Sequence, residues 1–141
     1  MQGAKKYGMH KNFFLIDDDP DELDIFSEAL SEVDPTCTCV WADSPFTALE
    51  LLKKQVPDII FLDINMPRMD GFECLREIRK MDHLSAVPII LYSNGINDEA
   101  CKKAVRLGAS GCVRKAADIP KLTSIIRRVM KKQDNQVFLE I

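Results

Sequence analysis

Long apolar runs, paired cysteine motifs and an excess of positive charge are all missing from this 141-residue sequence. No stretch approaches the ~18–20 consecutive apolar residues that a membrane-spanning helix requires. Only a short apolar run separates the basic N-terminal residues from the acidic run DDDPDE, and it is shorter than the apolar region of a secretory signal, so no such signal is predicted. The net charge of −3 lacks the positive balance of a protein that binds DNA directly. These absences favour a cytoplasmic globular protein.

The cysteines form no recognisable motif. There are five, an odd number, at wide spacings, and the sequence has no C-x-x-C pair. His10 and His83 are too far from any cysteine in the sequence to indicate a zinc site. We therefore expect reduced thiols that behave as small apolar side chains. The cysteines concerned are Cys37, Cys39, Cys74, Cys101 and Cys112.

Short apolar runs alternate with segments of helical spacing. Five runs, which start at residues 13, 37, 59, 88 and 111, are typical of β-strands. Between them apolar residues recur at helical intervals, most clearly at Leu122, Ile125 and Val129. Runs such as residues 59–62 are apolar on both faces, as in strands that helices cover from both sides. The pattern predicts an α/β fold: a doubly wound (βα)5 parallel sheet in a three-layer sandwich.

The length predicts a single domain. We expect that domain to span residues 11–132, with residues 1–10 as an N-terminal extension and residues 133–141 as a C-terminal tail. The tail leaves no room for an output domain, so a stand-alone domain is expected. Its sequence, QVFLEI, has the alternation of a short strand. Such a tail is expected to pair with a second copy of the chain in a homodimer, to fold back on the domain, or to fray.

Polar residues follow the predicted strands at the points where the strands end. In an open α/β sheet, ligands bind beyond the carboxyl ends of the strands. Three carboxylates, a hydroxyl and an ammonium therefore converge on one edge if strands 1, 3, 4 and 5 are neighbours. These strands end in Asp17-Asp18-Asp19, Asp63, Ser93 and Lys115, respectively. Asp19 itself is better explained as the N-cap of the first helix.

This set of side chains suits a divalent cation and a phosphoryl group. Carboxylates that are packed together repel one another, and a hard cation such as Mg²⁺ removes that conflict. Lys115 and the Ser93 hydroxyl would clamp a phosphoryl group, and Asp63 would be the nucleophile that forms an acyl phosphate. Taken singly, each residue also has an ordinary structural explanation, such as a solvated strand end or a turn. Taken jointly, they favour the functional interpretation.

With these residues in place, the sequence resembles the receiver domain of bacterial two-component response regulators, the family that includes the chemotaxis receivers. The matching stretches are FFLIDDDPDE, DIIFLDINMPRMDGFECLREIR, VPIILYSNG and LGASGCVRK. The resemblance implies a flavodoxin-like fold with strand order 2-1-3-4-5. It also implies a signalling protein, not an enzyme in the usual sense, because a receiver catalyses only its own phosphorylation and dephosphorylation.

The resemblance implies a role for each residue of this sequence that matches a functional position of the family. Asp63 takes the place of the phosphoacceptor aspartate, Ser93 that of the switch threonine or serine, and Lys115 that of the phosphate-pairing lysine. A divalent cation, Mg²⁺ or Mn²⁺, is the implied cofactor. Its ligands would be Asp17, Asp18, Asp63 and Asn65, the last through its backbone carbonyl. The donor would be a phosphohistidine on a sensor histidine kinase or a phosphotransfer protein.

The resemblance further implies that the signal passes through the face formed by the fourth helix, the fifth strand and the fifth helix, the α4–β5–α5 face. Phosphorylation would bias this face toward binding a downstream protein, or the phosphoryl group would be relayed onward. The face is expected to be basic, which favours either an acidic partner or simply a solvated helix surface. Its basic residues are Lys102, Lys103, Arg106, Arg114, Lys121, Arg127 and Arg128.

Two positions depart from the family pattern. Lys115 is followed by Ala116, where the family usually has a proline that is often preceded by a cis bond. Because a cis bond before a non-proline residue costs ~2.5–4 kcal/mol, a trans bond is expected here. The aromatic switch position holds Cys112. The aromatic form of the switch is therefore not predicted, and we expect Cys112 to be a small packed residue, with a redox sensor as the alternative.

Three other functions fit the sequence less well. A degenerate receiver that binds partners without phosphorylation is the main alternative, but the complete set of strand-end residues argues against it. A phosphatase of the haloacid-dehalogenase kind carries its nucleophile after the first strand, whereas Asp63 follows the third. A flavin-binding carrier needs a phosphate-cradling loop after the first strand, where this sequence has Asp17-Asp18-Asp19-Pro20.

Overall fold

A computed structural model describes residues 11–116, 118–132 and 136–140. The predicted N-terminal extension and tail residues 133–135 and 141 lie outside the described residues. Strands and helices alternate along the described chain. They are β1 (Asn12–Ile16), α1 (Pro20–Val33), β2 (Thr38–Ala42), α2 (Pro45–Leu52), β3 (Ile59–Leu62), α3 (Gly71–Arg79), β4 (Ile89–Ser93), α4 (Asp98–Arg106), β5 (Gly111–Arg114), α5 (Ile119–Met130) and β6 (Phe138–Glu140). No helix in these ranges is both long and apolar enough to cross a bilayer.

Each helix begins at a side chain that caps it. The capping oxygen accepts a hydrogen bond from a backbone N–H in the first turn of the helix, which satisfies a donor that otherwise has no partner. The caps of α1 to α5 are Asp19, Ser44, Asp70, Asn97 and Asp118. The predicted start of the first helix at Asp19 is thereby confirmed. Because each cap follows a strand, the caps place the first turns of the helices near the carboxyl edge of the sheet.

The six strands form one parallel sheet in the order β2-β1-β3-β4-β5-β6. The predicted α/β class and the order 2-1-3-4-5 are confirmed, with β6 added at the edge. The strand order reverses between β1 and β3, which is where open α/β sheets bind their ligands. The carboxyl ends of β1, β3, β4 and β5 are neighbours at this edge, as the convergence of their terminal residues requires.

Two apolar layers enclose the sheet. Because successive side chains of a strand point to opposite faces, each buried strand contributes to both layers. Phe13, Phe61 and Tyr92 pack toward α1 and α5, whereas Phe14 and Leu91 pack toward α2, α3 and α4. Such burial on both faces explains the continuous apolar runs of the sequence and gives the predicted three-layer sandwich.

Two cysteines are joined, so the expectation of reduced thiols is wrong for this pair. Cys101 in α4 and Cys112 in β5 form a disulfide, with their Cα atoms 6.0 Å apart. The packing of α4 against β5 creates this proximity, which no local sequence motif indicates. The remaining cysteines, Cys37, Cys39 and Cys74, are free as expected. Burial raises the pKa of the Cys74 thiol to about 12, so this thiol stays protonated and unreactive.

The described part of the tail folds back on the domain as β6, one of the three alternatives that the sequence left open. Gly111 of β5 is in register with Phe138, and the Phe138 N–H donates to the Ser110 carbonyl at 2.9 Å. Arg128 of α5 forms an ion pair with Glu140 at 2.8 Å. β6 therefore covers the edge of β5.

The pairing of β6 is expected to depend on Gly111. A Cβ at this position would overlap the carbonyl oxygen of Phe138 and would lie 3.1 Å from Ile90 Cδ1. We expect Gly111→Ala to displace β6 from the sheet and to lower the free energy of unfolding by about 1–3 kcal/mol. Urea denaturation and amide exchange of residues 136–140 measure the two effects. In a chain truncated after Lys132 the same substitution should lose most of its effect, and an equal loss in both chains would contradict this assignment.

Candidate functional site

Three carboxylates meet at the carboxyl ends of β1 and β3. Asp17, Asp18 and Asp63 each offer an oxygen, and these oxygens all lie within 4.8 Å of one another. The Asp17 N–H donates to the Ala42 carbonyl at 3.1 Å, and the Asp63 N–H donates to the Ile16 carbonyl at 3.0 Å. These bonds continue the strand pairing by one residue, so the sheet itself positions both carboxylates.

Two of the three carboxylates are buried. Asp17 is 0% and Asp63 is 4% exposed, whereas Asp18 is exposed. One oxygen of each buried carboxylate is held locally: Asp17 Oδ1 accepts from the Asp19 N–H, and Asp63 Oδ1 accepts from the Asn65 N–H, both at 3.0 Å. The second oxygen, Oδ2, of each buried carboxylate contacts Lys115.

Lys115 brings a positive charge into this acidic cluster. Its Nζ lies 2.7 Å from Asp17 Oδ2 and 3.3 Å from Asp63 Oδ2, and its side chain is only 8% exposed. The Lys115 N–H donates to the Ser93 carbonyl at 3.1 Å, which extends the β4–β5 pairing to the lysine. The Tyr92 ring supports the ammonium, with its centroid 5.8 Å from Nζ. One buried lysine is therefore shared between two buried carboxylates.

The charges at the site are only partly compensated. Burial raises the pKa of Asp17 to about 6, although Lys115 lowers it. Burial alone would lower the pKa of Lys115, but its contacts with Asp17 and Asp63 outweigh that effect and raise the pKa. Despite its ion pair, Asp17 Oδ2 makes no well-aligned hydrogen bond to any described residue. A buried, incompletely bonded carboxylate oxygen beside two further carboxylates fits a hard cation such as Mg²⁺.

Asn65 links the carboxylates to the end of β4. Its Nδ2 donates to the Ser93 hydroxyl oxygen at 3.0 Å, and Ser93 is fully buried. Only the backbone carbonyl of Asn65 was expected to take part in the site. The contact made by the side-chain amide was missed because no sequence pattern indicates the direction of this amide.

The loop between β3 and α3 packs tightly against the site. A Cβ on Gly71 would overlap the backbone of Ile64 and would lie 2.8 Å from the Asp63 carbonyl oxygen. The Gly71 N–H also donates to the Ile64 carbonyl at 3.1 Å. Only glycine permits this approach, which explains why a glycine closes the motif LDINMPRMDG.

Tyr92 and Glu22 form a buried hydrogen bond beneath the lysine. The Tyr92 hydroxyl donates to Glu22 Oε2 at 2.9 Å. Burial raises the pKa of the Tyr92 phenol, so it remains a donor. Glu22 lies at the third position of α1, and its side chain reaches Tyr92 of β4. This support of the site was missed because the two residues are far apart in the sequence.

Both departures from the family pattern are visible. Every peptide bond between described residues is trans, including that between Lys115 and Ala116, so the expected trans bond is confirmed. Cys112 is fully buried, as expected of a packed residue, but it is bonded to Cys101. Asp19 lies outside the acidic cluster and caps α1, as expected.

Comparisons with known proteins agree on one family. Residues 13–127 match the family model described as the response regulator receiver domain. The chain is 31% identical over 122 residues to the chemotaxis protein CheY of Halobacterium salinarum, which covers 86% of this chain and 98% of that protein. It is 30% identical over 126 residues to a probable cyclic di-GMP phosphodiesterase of Vibrio cholerae, which covers 89% of this chain but only 28% of the longer relative.

The solved structures give the same result for the fold. The structure resembles the phosphorylated cyanobacterial phytochrome response regulator RcpA, with a TM-score of 0.77 and 26% sequence identity. This match covers 86% of this chain and 92% of that one.

Proposed function

This chain belongs to the response regulator receiver family of two-component signalling proteins, and from that premise we propose that Asp63 accepts a phosphoryl group with the help of a divalent cation. The observation that carries the proposal is the convergence of three carboxylates at the switch point of the sheet, two of which share one buried lysine. The proposed receiver domain spans residues 11–132, with β6 added to its sheet.

Asp63 Oδ2 is the proposed nucleophile. The Asn65 N–H holds the other carboxylate oxygen, so Oδ2 is left facing Lys115. As this oxygen bonds to phosphorus, the bond between phosphorus and the histidine nitrogen of the donor breaks, and its electron pair returns to the imidazole. The Lys115 ammonium stabilises the negative charge on the phosphoryl oxygens. It is already in place and needs no reorganisation.

The proposed cation ligands are Asp17, Asp18, Asp63 and the backbone carbonyl of Asn65. When bound, Mg²⁺ or Mn²⁺ would neutralise the carboxylates and the phosphoryl oxygens that they would otherwise repel. The chain supplies the orientation, because backbone N–H groups hold the Oδ1 atoms of Asp17 and Asp63.

Ser93 is the proposed switch residue. Its hydroxyl accepts a hydrogen bond from the Asn65 amide and is free to donate its own proton to a phosphoryl oxygen on Asp63. The loop that follows Ser93 leads directly to Asn97, the N-cap of α4. A shift of Ser93 toward the phosphoryl group would therefore reach α4 through a short connection.

The proposed partners are a sensor histidine kinase or a phosphotransfer protein as donor and a downstream protein on the α4–β5–α5 face. In this chain β6 covers the edge of β5 on that face. Arg128 pairs with Glu140, and Lys103 lies over the Phe72 ring at 4.4 Å. Two of the basic residues predicted on this face, Arg128 and Lys103, therefore already interact with other residues of the chain. A homodimer through the tail stays a prediction.

Intact mass measurement tests the proposed function. After incubation with acetyl phosphate and Mg²⁺ we expect a gain of ~80 Da, the mass of one phosphoryl group, in the wild type. The gain should be absent in Asp63→Asn and in the absence of Mg²⁺. Asp43→Asn is the matched control, because Asp43 is an exposed carboxylate after β2. A mass gain that survives in Asp63→Asn, or its absence from the wild type with acetyl phosphate and with a phosphohistidine donor, would overturn the proposal.

A further inference from the structure

Helix α4 has few apolar anchors on the sheet. Of its nine residues only Cys101 and Ala104 are buried, and Ala100 and Val105 are half-buried. Burial of a single alanine methyl group contributes little to stability. Cys101, by contrast, is covalently joined to Cys112 of β5. The disulfide therefore adds a covalent attachment to a helix whose other contacts with the core are made by small or half-buried side chains.

This bond lies between the proposed phosphorylation site and the surface of α4. Asn97 caps α4 at the end of the loop that follows Ser93. Cys112 lies in β5, the strand that leads to Lys115, and is in register with Leu91 of β4. A movement of the loop after Ser93 that displaces α4 must also displace Cys101. The disulfide opposes that movement because it ties Cys101 to β5, a strand that is paired on both sides within the sheet.

One of the two bonded cysteines, although largely buried, lines a surface groove. Cys101 is 5% exposed, whereas Cys112 is 0% exposed. Cys101 opens into a groove of about 290 Å³ between α4 and β6, whose other lining residues are Lys102, Val105, Arg106, Val137 and Leu139. The two cationic side chains favour the approach of a thiolate anion, which is the attacking form in disulfide exchange.

We propose that Cys101 and Cys112 are a redox-active pair whose thiol state sets how freely α4 moves. Resting on the proposed function, the same thiol state sets how strongly α4 responds to phosphorylation of Asp63. In opening, a thiolate of a dithiol reductant attacks Cys101 Sγ, and Cys112 leaves as a thiolate that takes up a proton. The second thiol of the reductant then displaces Cys101, and the reductant leaves as a disulfide. In closing, two electrons and two protons pass from the two thiols to a small-molecule disulfide such as oxidised glutathione.

Amide hydrogen exchange of α4 in both thiol states tests this proposal. The protein is oxidised with glutathione disulfide or reduced with dithiothreitol, each with and without beryllium fluoride and Mg²⁺ as a phosphoryl mimic. Reduction should raise exchange across residues 98–106 about tenfold or more. The mimic should change this exchange further in the reduced form and much less in the oxidised form. Cys101→Ala should behave as reduced under both treatments, whereas the matched control Cys37→Ser should keep the wild-type redox response.

Counting the free thiols of the wild-type protein provides a second test that does not depend on the variants. The oxidised protein should contain the three free thiols of Cys37, Cys39 and Cys74, and the reduced protein all five. Five free thiols, or a glutathione adduct on Cys101 or Cys112, after oxidation would overturn the proposal. Equal α4 exchange in the two verified thiol states would do the same. Neither result depends on a mass gain at Asp63, so a failure of the proposed function is detected separately.

Discussion

Replacing Asp17 by asparagine is expected to raise the free energy of unfolding at neutral pH by about 3 kcal/mol in the absence of a divalent cation. Asp17 is fully buried, and burial raises the pKa of its carboxyl from 3.8 to about 6. The folded protein therefore disfavours the charged form that exists at neutral pH. Asparagine has the same shape without the charge, and Lys115 keeps Asp63 as its partner at 3.3 Å.

The sign of the pH dependence follows from this raised pKa. Between about pH 4 and pH 6 the unfolded chain has released the Asp17 proton while the folded protein still holds it. The stability of the wild type relative to Asp17→Asn therefore falls as the pH rises through this window. Below the window the two proteins should differ little, and above it the advantage of the variant should be complete.

Urea denaturation at a series of pH values measures this difference. Asp43→Asn, in which an exposed carboxylate is replaced, should show no comparable pH-dependent gain. Addition of Mg²⁺ should stabilise the wild type but much less so Asp17→Asn, because binding to the folded state alone raises the free energy of unfolding. A difference that does not change with pH, or a variant less stable than the wild type at neutral pH, would contradict the expected behaviour of Asp17.

The fold was predictable because its determinants are local. Continuous apolar runs such as residues 59–62 identify strands that are buried on both faces, and caps such as Asp19 and Ser44 locate the starts of helices. The carboxylate cluster was predictable for a topological reason. Parallel strands end at one edge, so residues that follow β1 and β3 come together although Asp17 and Asp63 are far apart in the sequence.

The features that sequence reasoning missed depend on tertiary packing or on the direction of a side chain. The Cys101–Cys112 bond requires α4 to lie over β5, and neither cysteine belongs to a motif. No role was expected for the Asn65 amide or the Glu22 carboxylate, because only their side-chain directions show the contacts with Ser93 and Tyr92. Propensity and periodicity contain no information on these directions.

Replacing Lys115 by methionine is expected to slow phosphorylation of Asp63 by acetyl phosphate about 100- to 1000-fold, the effect of removing one charge-stabilising donor from a transition state. Methionine fills nearly the same space but carries no charge. The same substitution should tighten Mg²⁺ binding, because Lys115 Nζ contacts Asp17 Oδ2 and Asp63 Oδ2 and so competes with a cation for these oxygens.

The rate of mass gain and a Mg²⁺ titration, measured on the same variant, separate these two effects. A variant that merely unfolds loses both phosphorylation and Mg²⁺ binding, whereas a variant that lacks only the lysine charge loses the first and strengthens the second. Lys121→Met is the matched control, since Lys121 is an exposed lysine of α5 outside the site. An unchanged rate in Lys115→Met would show that the ammonium plays no part in phosphoryl transfer. Weaker Mg²⁺ binding in a folded Lys115→Met protein would show that the lysine and the cation do not compete for the same oxygens.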